Sequence, residues 1–357
     1  MNKTNKLRNY LLFPLIFVAV AAIGLYLVKW SPYYAKAFIA AAKGSIGSSI
    51  ISGGQTSIPD AGFAAALAYG KTYFDSVWKA LILGLLLGSL VQVLIPRIWI
   101  VRFIGNNSLA SIVKAALAAL PGMMCTCCTA PVAVGLRKAG AAIGPAIAFF
   151  LGNPVLNPAT LIFMGFVLGW DLTFFRIIMG LILVLGTAYG ASKLFPDILL
   201  EDNQSPTKAC SNSQLDQAYD TKQTNLLIAW LKALWQLIVD TIPAYLVVVL
   251  VLGALRAWLF PILDPSLSDS LPLIIGLSLA GTLFVIPTAA EIPVVQGMML
   301  LGLGMGSSLT LLMALPAVSL VSLLLVRRVF PVKILLYIFV SVAIIGFMSG
   351  LIGMFAW

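Results

Sequence analysis

Three cysteines fall within four positions in Cys125-Thr126-Cys127-Cys128, shortly after Pro121-Gly122. Thiols are soft ligands that select Cu(I) and, by the same softness, thiophilic arsenic(III) or mercury(II). Two thiols close together allow bidentate capture, and Cys125 and Cys128 share a face if the segment turns as a helix. A single cysteine is best read as a small apolar packing residue. Three so close together point instead to a site in which Cys125, Cys127 and Cys128 contact a soft metal or metalloid solute. Cys210 stands alone in a polar stretch and is read as incidental.

Glu291 is the second candidate. It lies in Ile286-Pro287-Thr288-Ala289-Ala290-Glu291-Ile292-Pro293, inside a long apolar region. An ionisable residue at membrane depth is costly and by default faces a pathway, so Glu291 is assigned to ion coupling, as an uncompensated carboxylate that exchanges protons. A third element, Gly152-Asn153-Pro154-Val155-Leu156-Asn157-Pro158, sets two Asn-Pro pairs in an apolar span. Proline removes a backbone donor and turns the preceding residue away from helix. Asn153 and Asn157 then either line a solute site or satisfy the freed backbone, and the sequence does not choose. For Lys114 and Asp240 the structural readings are preferred, a snorkelling side chain and a helix cap.

Elements that hold such groups at membrane depth must be membrane helices, and the composition agrees. Of 357 residues 61% are hydrophobic and 10% charged, against about 45–50% and 25% in soluble domains. The chain is therefore an all-α polytopic membrane protein. Histidine is absent, which excludes Ser-His-Asp triads, Cys-His pairs and histidine-held haem or zinc. The net charge of +10 is scattered between apolar runs, a pattern of topology signals and not of a nucleic-acid surface. No Walker-type motif or cluster of catalytic carboxylates suggests an ATP-driven pump or an enzyme, and no cofactor is expected.

Residues 1–73 hold a first membrane helix (11–28) and an extramembrane segment. The helix is kept as a span although Ala19-Val20-Ala21 resembles a signal-peptide cleavage site. Residues 74–195 form a first membrane repeat with the cysteine-bearing hairpin, with apolar runs at 76–95, 142–168 and 174–194. Residues 196–225 are a polar, flexible, cytoplasmic linker, and residues 226–357 form a second repeat. Placing Pro131 on Pro293, an offset of 162, also aligns Val132 with Val294, Gly135 with Gly297, Gly140 with Gly302, Gly144 with Gly306 and Pro154 with Pro316. Lys and Arg placement puts the N-terminus and linker inside and the C-terminus outside, with six full crossings and two re-entrant hairpins. Arg176 and Arg256 do not fit this count. The expected fold is two inverted-topology repeats with interrupted helices, the build of a secondary transporter.

At Cys125-Thr126-Cys127-Cys128-Thr129-Ala130-Pro131, with Gly135, Gly140 and the two Asn-Pro pairs, the sequence resembles the predicted permeases that include the ArsP-type organoarsenical efflux proteins. Cys128 departs from the family's C-x-C pattern. The resemblance covers residue 76 to the C-terminus. It implies export of trivalent organoarsenicals through cysteine contacts, driven by an ion gradient, in a bacterial inner membrane. Two other classes stay open: a permease importing or exporting another soft-metal or sulfur-containing solute, and a membrane thiol-redox protein cycling between thiol and disulfide. The partners expected are a small thiophilic metalloid compound and membrane lipid, with oligomeric state, a homodimer included, left open.

Overall fold

The computed structural model describes residues 3–47, 49–50, 62–196, 226–259 and 269–356, and among them every regular element is a helix. The polar linker beyond Pro196, Cys210 and the Arg256 side chain lie outside the described residues. Helix α1 (Lys3–Leu25) runs through one π turn (Tyr26–Trp30) into α2 (Ser31–Lys43), which closes on Gly44 in the left-handed conformation. The first half then contains α3 (Phe63–Leu94), α4 (Arg97–Ile104), α5 (Leu109–Ala119), α6 (Thr126–Lys138), α7 (Ile143–Val155), α8 (Pro158–Val167) and α9 (Trp170–Leu194). The second half contains α10 (Leu226–Leu259), α11 (Leu271–Leu283), α12 (Glu291–Leu300), α13 (Met305–Ala317), α14 (Leu320–Val326) and α15 (Val332–Ala356).

The offset of 162 read from the sequence recurs in the helices. Helices α5 and α11 begin 162 residues apart, and α7 and α13, and α9 and α15, match at both ends. The capping chemistry repeats as well. Asn107 Oδ1 accepts the Gly144 N–H at 3.0 Å, and 162 residues on Asp269 Oδ1 accepts the Ser307 N–H at 3.0 Å. Asn157 caps α8 and Ser319, again 162 residues later, caps α14.

Seven helical segments among the described residues are long and apolar enough to cross a membrane, which corrects the count of six. An odd number is also what termini on opposite faces require. Two of the seven, Ile143–Val167 and Met305–Val326, are broken rather than continuous. The first breaks at Leu156–Asn157, before Pro158, and the second at Val318–Ser319, whose backbones are extended. By contrast α5, α6, α11 and α12 have 11, 13, 13 and 10 residues. At 1.5 Å per residue they reach about 15–20 Å, short of an apolar core of about 30 Å. Their breaks therefore lie within the thickness of the protein, where irregular backbone must be enclosed.

The halves meet along α3 and α10, α7 and α13, and α9 and α15. Apolar side chains such as Ile178 and Ile182 face outward on α9 while Arg176, on the same helix, is 1% exposed. Helix α6 is seated against α3 by close backbone approach. A Cβ at Gly84 would overlap the Cys128 carbonyl oxygen, and one at Gly88 would overlap that of Pro131.

Candidate functional site

The first break follows α5. Leu120–Gly122 makes a tight turn, Met123 takes the left-handed conformation (φ 47°), and Cys125 is extended before α6 begins at Thr126. Left-handed backbone on a bulky residue costs of order 1 kcal/mol or more and persists where neighbours enforce it. One enforcing neighbour is Asn153, whose Oδ1 accepts the Met124 N–H at 2.7 Å. Cys125 stands at the N-cap of α6 and Cys128 three residues on, which brings their side chains to one face as the spacing predicts. Cys125 Sγ lies 3.1 Å from Cys127 Sγ and 3.1 Å from Cys128 Sγ, and all three sulfurs lie within 4.8 Å of one another. All are free, buried thiols. The Tyr73 hydroxyl approaches Cys127 Sγ at 3.1 Å, and the Cys125 carbonyl accepts from the Thr129 N–H and hydroxyl, both at 3.0 Å.

The second break, between α11 and α12, leaves the helix at Phe284 in extended backbone and turns through Ala289, the other left-handed non-glycine among the described residues (φ 67°). The Tyr69 hydroxyl donates to the Val285 carbonyl. Glu291 opens α12, but it is not uncompensated. Its Oε1 is 2.8 Å from Arg176 Nη2, and the two side chains are 2% and 1% exposed. This corrects the expectation of a lone carboxylate, and it also explains why Arg176 did not behave as a topology signal. Arg176 reaches Met164 Sδ at 3.9 Å through Nη1, while its Nε has no hydrogen-bond partner.

Between the breaks lies a narrow, partly open cleft. Residues at equivalent positions line it from both halves: Met124 and Ile286, Cys125 and Pro287, Thr126 and Thr288. Glu291 joins them, as do Pro154 and its counterpart Pro316. With Thr160 of α8, the fold thus brings one cysteine, three threonine side chains and an ion-paired carboxylate to one small space. Asn153 and Asn157 do not line it. Asn153 braces the cysteine turn, and Asn157 Oδ1 accepts from the Ala159 and Thr160 N–H groups at 3.1 and 3.3 Å, leaving its buried Nδ2 without a partner. Lys114 is exposed over the Phe103 ring. Asp240 pairs with Arg328 at 2.6 Å and does not cap a helix, since α10 runs unbroken past it.

One residue of the site escaped sequence reasoning. Lys29, in the π turn, is 4% exposed, and its Nζ donates to the Tyr33 and Thr288 hydroxyls, both at 3.1 Å. Its neighbour Trp30 donates Nε1–H to the Pro121 carbonyl at 2.8 Å, and Gln296 of α12 donates to the Gly44 carbonyl at 2.9 Å. The N-terminal helix is therefore tied to both breaks. The available signal was the helical spacing continuing past Trp30 through Tyr33, Ala37 and Ala40, which puts Lys29 in mid-helix.

A family model described as "Predicted permease" (ArsP_1) matches residues 72–355. The chain is 47% identical over 337 residues to the UPF0718 protein YraQ of Escherichia coli (strain K12), covering 94% of this chain and 93% of the relative. It is 22% identical over 338 residues to the UPF0718 protein MJ0584 of Methanocaldococcus jannaschii, covering 76% of this chain and 91% of the relative. No solved structure matches. With seven candidate spans and a family match over most of its length, the chain belongs to the predicted-permease family and is a multi-pass cell-membrane protein.

Proposed function

We propose that this permease is a secondary transporter that exports thiophilic solutes, trivalent organoarsenicals first among them, by transient capture on Cys125, Cys127 and Cys128. The observation that carries this reading is the set of three free buried thiols, with sulfurs within 4.8 Å of one another, beside a cleft between two helix breaks. Three converging sulfurs suit soft ions and metalloids and offer little to hard cations. Irregular backbone at this depth belongs where protein encloses a passage.

The two halves work as inverted repeats in this reading. Each contributes three crossings, so the second copy enters from the opposite face and the two breaks meet near the middle, as alternating access requires. Glu291 is the coupling group, being the carboxylate at the cleft. Because it is held by Arg176, coupling includes a state in which that pair parts.

The test is a bacterium lacking its own arsenical and mercury transporters, expressing this chain and challenged with arsenite, methylarsenite, phenylarsine oxide and mercury(II). Protection against the organic arsenicals that is lost in Cys125→Ser and Cys127→Ser at unchanged protein level, and kept in Cys210→Ser, is the expected result. Full protection by a chain lacking all four cysteines returns the cluster to a packing role. Reporter fusions at Gln204 and after Trp357 test the inversion, which fails if both report the same side.

A further inference from the structure

Lys29 is a buried cation with no carboxylate beside it. Its partners are two hydroxyls, and among the described residues no carboxylate lies within salt-bridge distance. The carboxylate at the cleft, Glu291, is already engaged by Arg176. An ammonium taken out of water with only neutral partners is costly, and buried charges are ordinarily paired. The surroundings add to the positive field. Helices α6 and α12 both begin at the cleft, with Thr126 and Glu291 as their first residues, and a helix start carries partial positive charge. Lys29 meets the cleft wall through the Thr288 hydroxyl.

The thiols do not supply the missing anion once a solute is held. An arsenoxide R–As=O condenses with two thiols to form two As–S bonds, and both thiol protons leave with the arsenoxide oxygen as one water. No electron changes hands, and the product is neutral. A loaded site of that kind leaves Lys29 facing a neutral complex.

We propose that Lys29 is a specificity-determining residue that makes the cleft select thiophilic solutes which also carry a negatively charged group, the thiols holding the soft centre and the Lys29 ammonium the anion. This rests on the thiol-capture reading above. It also gives the N-terminal helix a role, since Lys29 precedes the family-matched residues 72–355.

The experiment uses the purified full chain in detergent and compares two probes of the same shape, phenylarsine oxide and its 4-carboxy derivative, which is ionised at neutral pH. The expected wild-type result is tighter binding of the carboxylated probe by about tenfold or more, the scale of one modest charge pair. Lys29→Gln brings the ratio of the two affinities to about one, and Lys29→Arg, which keeps the charge, keeps the preference. The ratio is the readout, so a loss in Lys29→Gln that falls equally on both probes makes Lys29 a structural strut and overturns the inference. Equal wild-type affinities overturn it too. If neither probe binds wild-type protein, the thiol-capture reading has failed and this inference goes with it; binding of the neutral probe without preference leaves that reading standing and removes only this one.

Discussion

The two helix breaks share a backbone plan and differ in what holds them. At the first, Asn153 braces the turn, and α6 presses so closely on α3 that Gly84 and Gly88 leave no room for a side chain. In the second half, α10 ends 165 residues after α3, which pairs Gly88 with Gly253 and Gly84 with Val249; a Cβ at Gly253 would meet the Tyr69 side chain and not a backbone carbonyl. Asn153 is replaced there by Leu315. The N-terminal helix ties both breaks, the first through Trp30 and the second through Lys29 and Gly44, and the second is held in addition by charge, through Arg176. Duplication supplied the geometry of the cleft, and divergence put thiols on one wall and a carboxylate on the other. The comparison suggests a rigid sulfur-bearing wall and a partner wall held by contacts that can be exchanged.

The largest effect should come from the ion pair. Glu291→Gln leaves Arg176 charged and buried without its partner, a change that costs about 3–5 kcal/mol when a buried pair is broken from one side. Denaturation of detergent-purified protein should show that loss. Replacing both groups, Arg176→Leu with Glu291→Leu, should cost less than either single change, because no orphaned charge remains. Strict additivity of the two single losses would mean that the pair is not what holds the second break.

Next is the close approach at the first break. Gly84→Leu puts a side chain where even a Cβ would meet the Cys128 carbonyl. Overpacking of this kind costs roughly 1–3 kcal/mol or more, and it should displace Cys125 from the cleft wall. A control change on α10, Leu246→Gly, touches an outward-facing position and should cost about 1 kcal/mol, mostly from helix propensity. Similar losses from both would erase the contrast between the walls. Asn153→Leu, the residue of the second half, removes the acceptor for the Met124 N–H. A buried donor left unsatisfied costs about 1–3 kcal/mol, and the sharper readout is faster alkylation of the three cysteines as the turn loosens.

Much of this was legible in the sequence because it is local or periodic. Cysteine spacing placed Cys125 and Cys128 on one face, Pro and Gly marked the breaks, and a fixed offset aligned helices that the structure aligns at the same offset. What stayed hidden depends on contacts between distant segments. Arg176 and Glu291 are 115 residues apart, and no local pattern pairs them. Charge counting even placed Arg176 at a membrane face, since a buried arginine and a topology arginine look alike in one dimension. Lys29 was hidden because Trp30 to Tyr73 reads as mixed sequence, although α2 continues the first helix and α3 begins ten residues before Tyr73. The boundary between span and loop was misplaced there because lysines at 36, 43 and 71 lowered the apparent hydropathy of segments that are nonetheless helical.

The smallest stability effect separates the two readings of Asn157 that the sequence left open. Its carbonyl oxygen caps α8, a job that Ser319 does for α14 with a hydroxyl. Serine and asparagine are close in capping strength, so Asn157→Ser should keep the cap. It also removes the buried Nδ2 that has no partner, which offsets the small void left by the shorter side chain, and the net change should stay within about 1 kcal/mol. Transport is then the informative measurement. If Asn157 only caps, organoarsenical protection should match wild type at equal protein level. If instead its free amide meets solute as the helices rearrange, protection should fall while the melting behaviour holds. A parallel fall in both would mean that serine fails to cap α8, and that the equivalence between the two halves does not extend to the start of this helix.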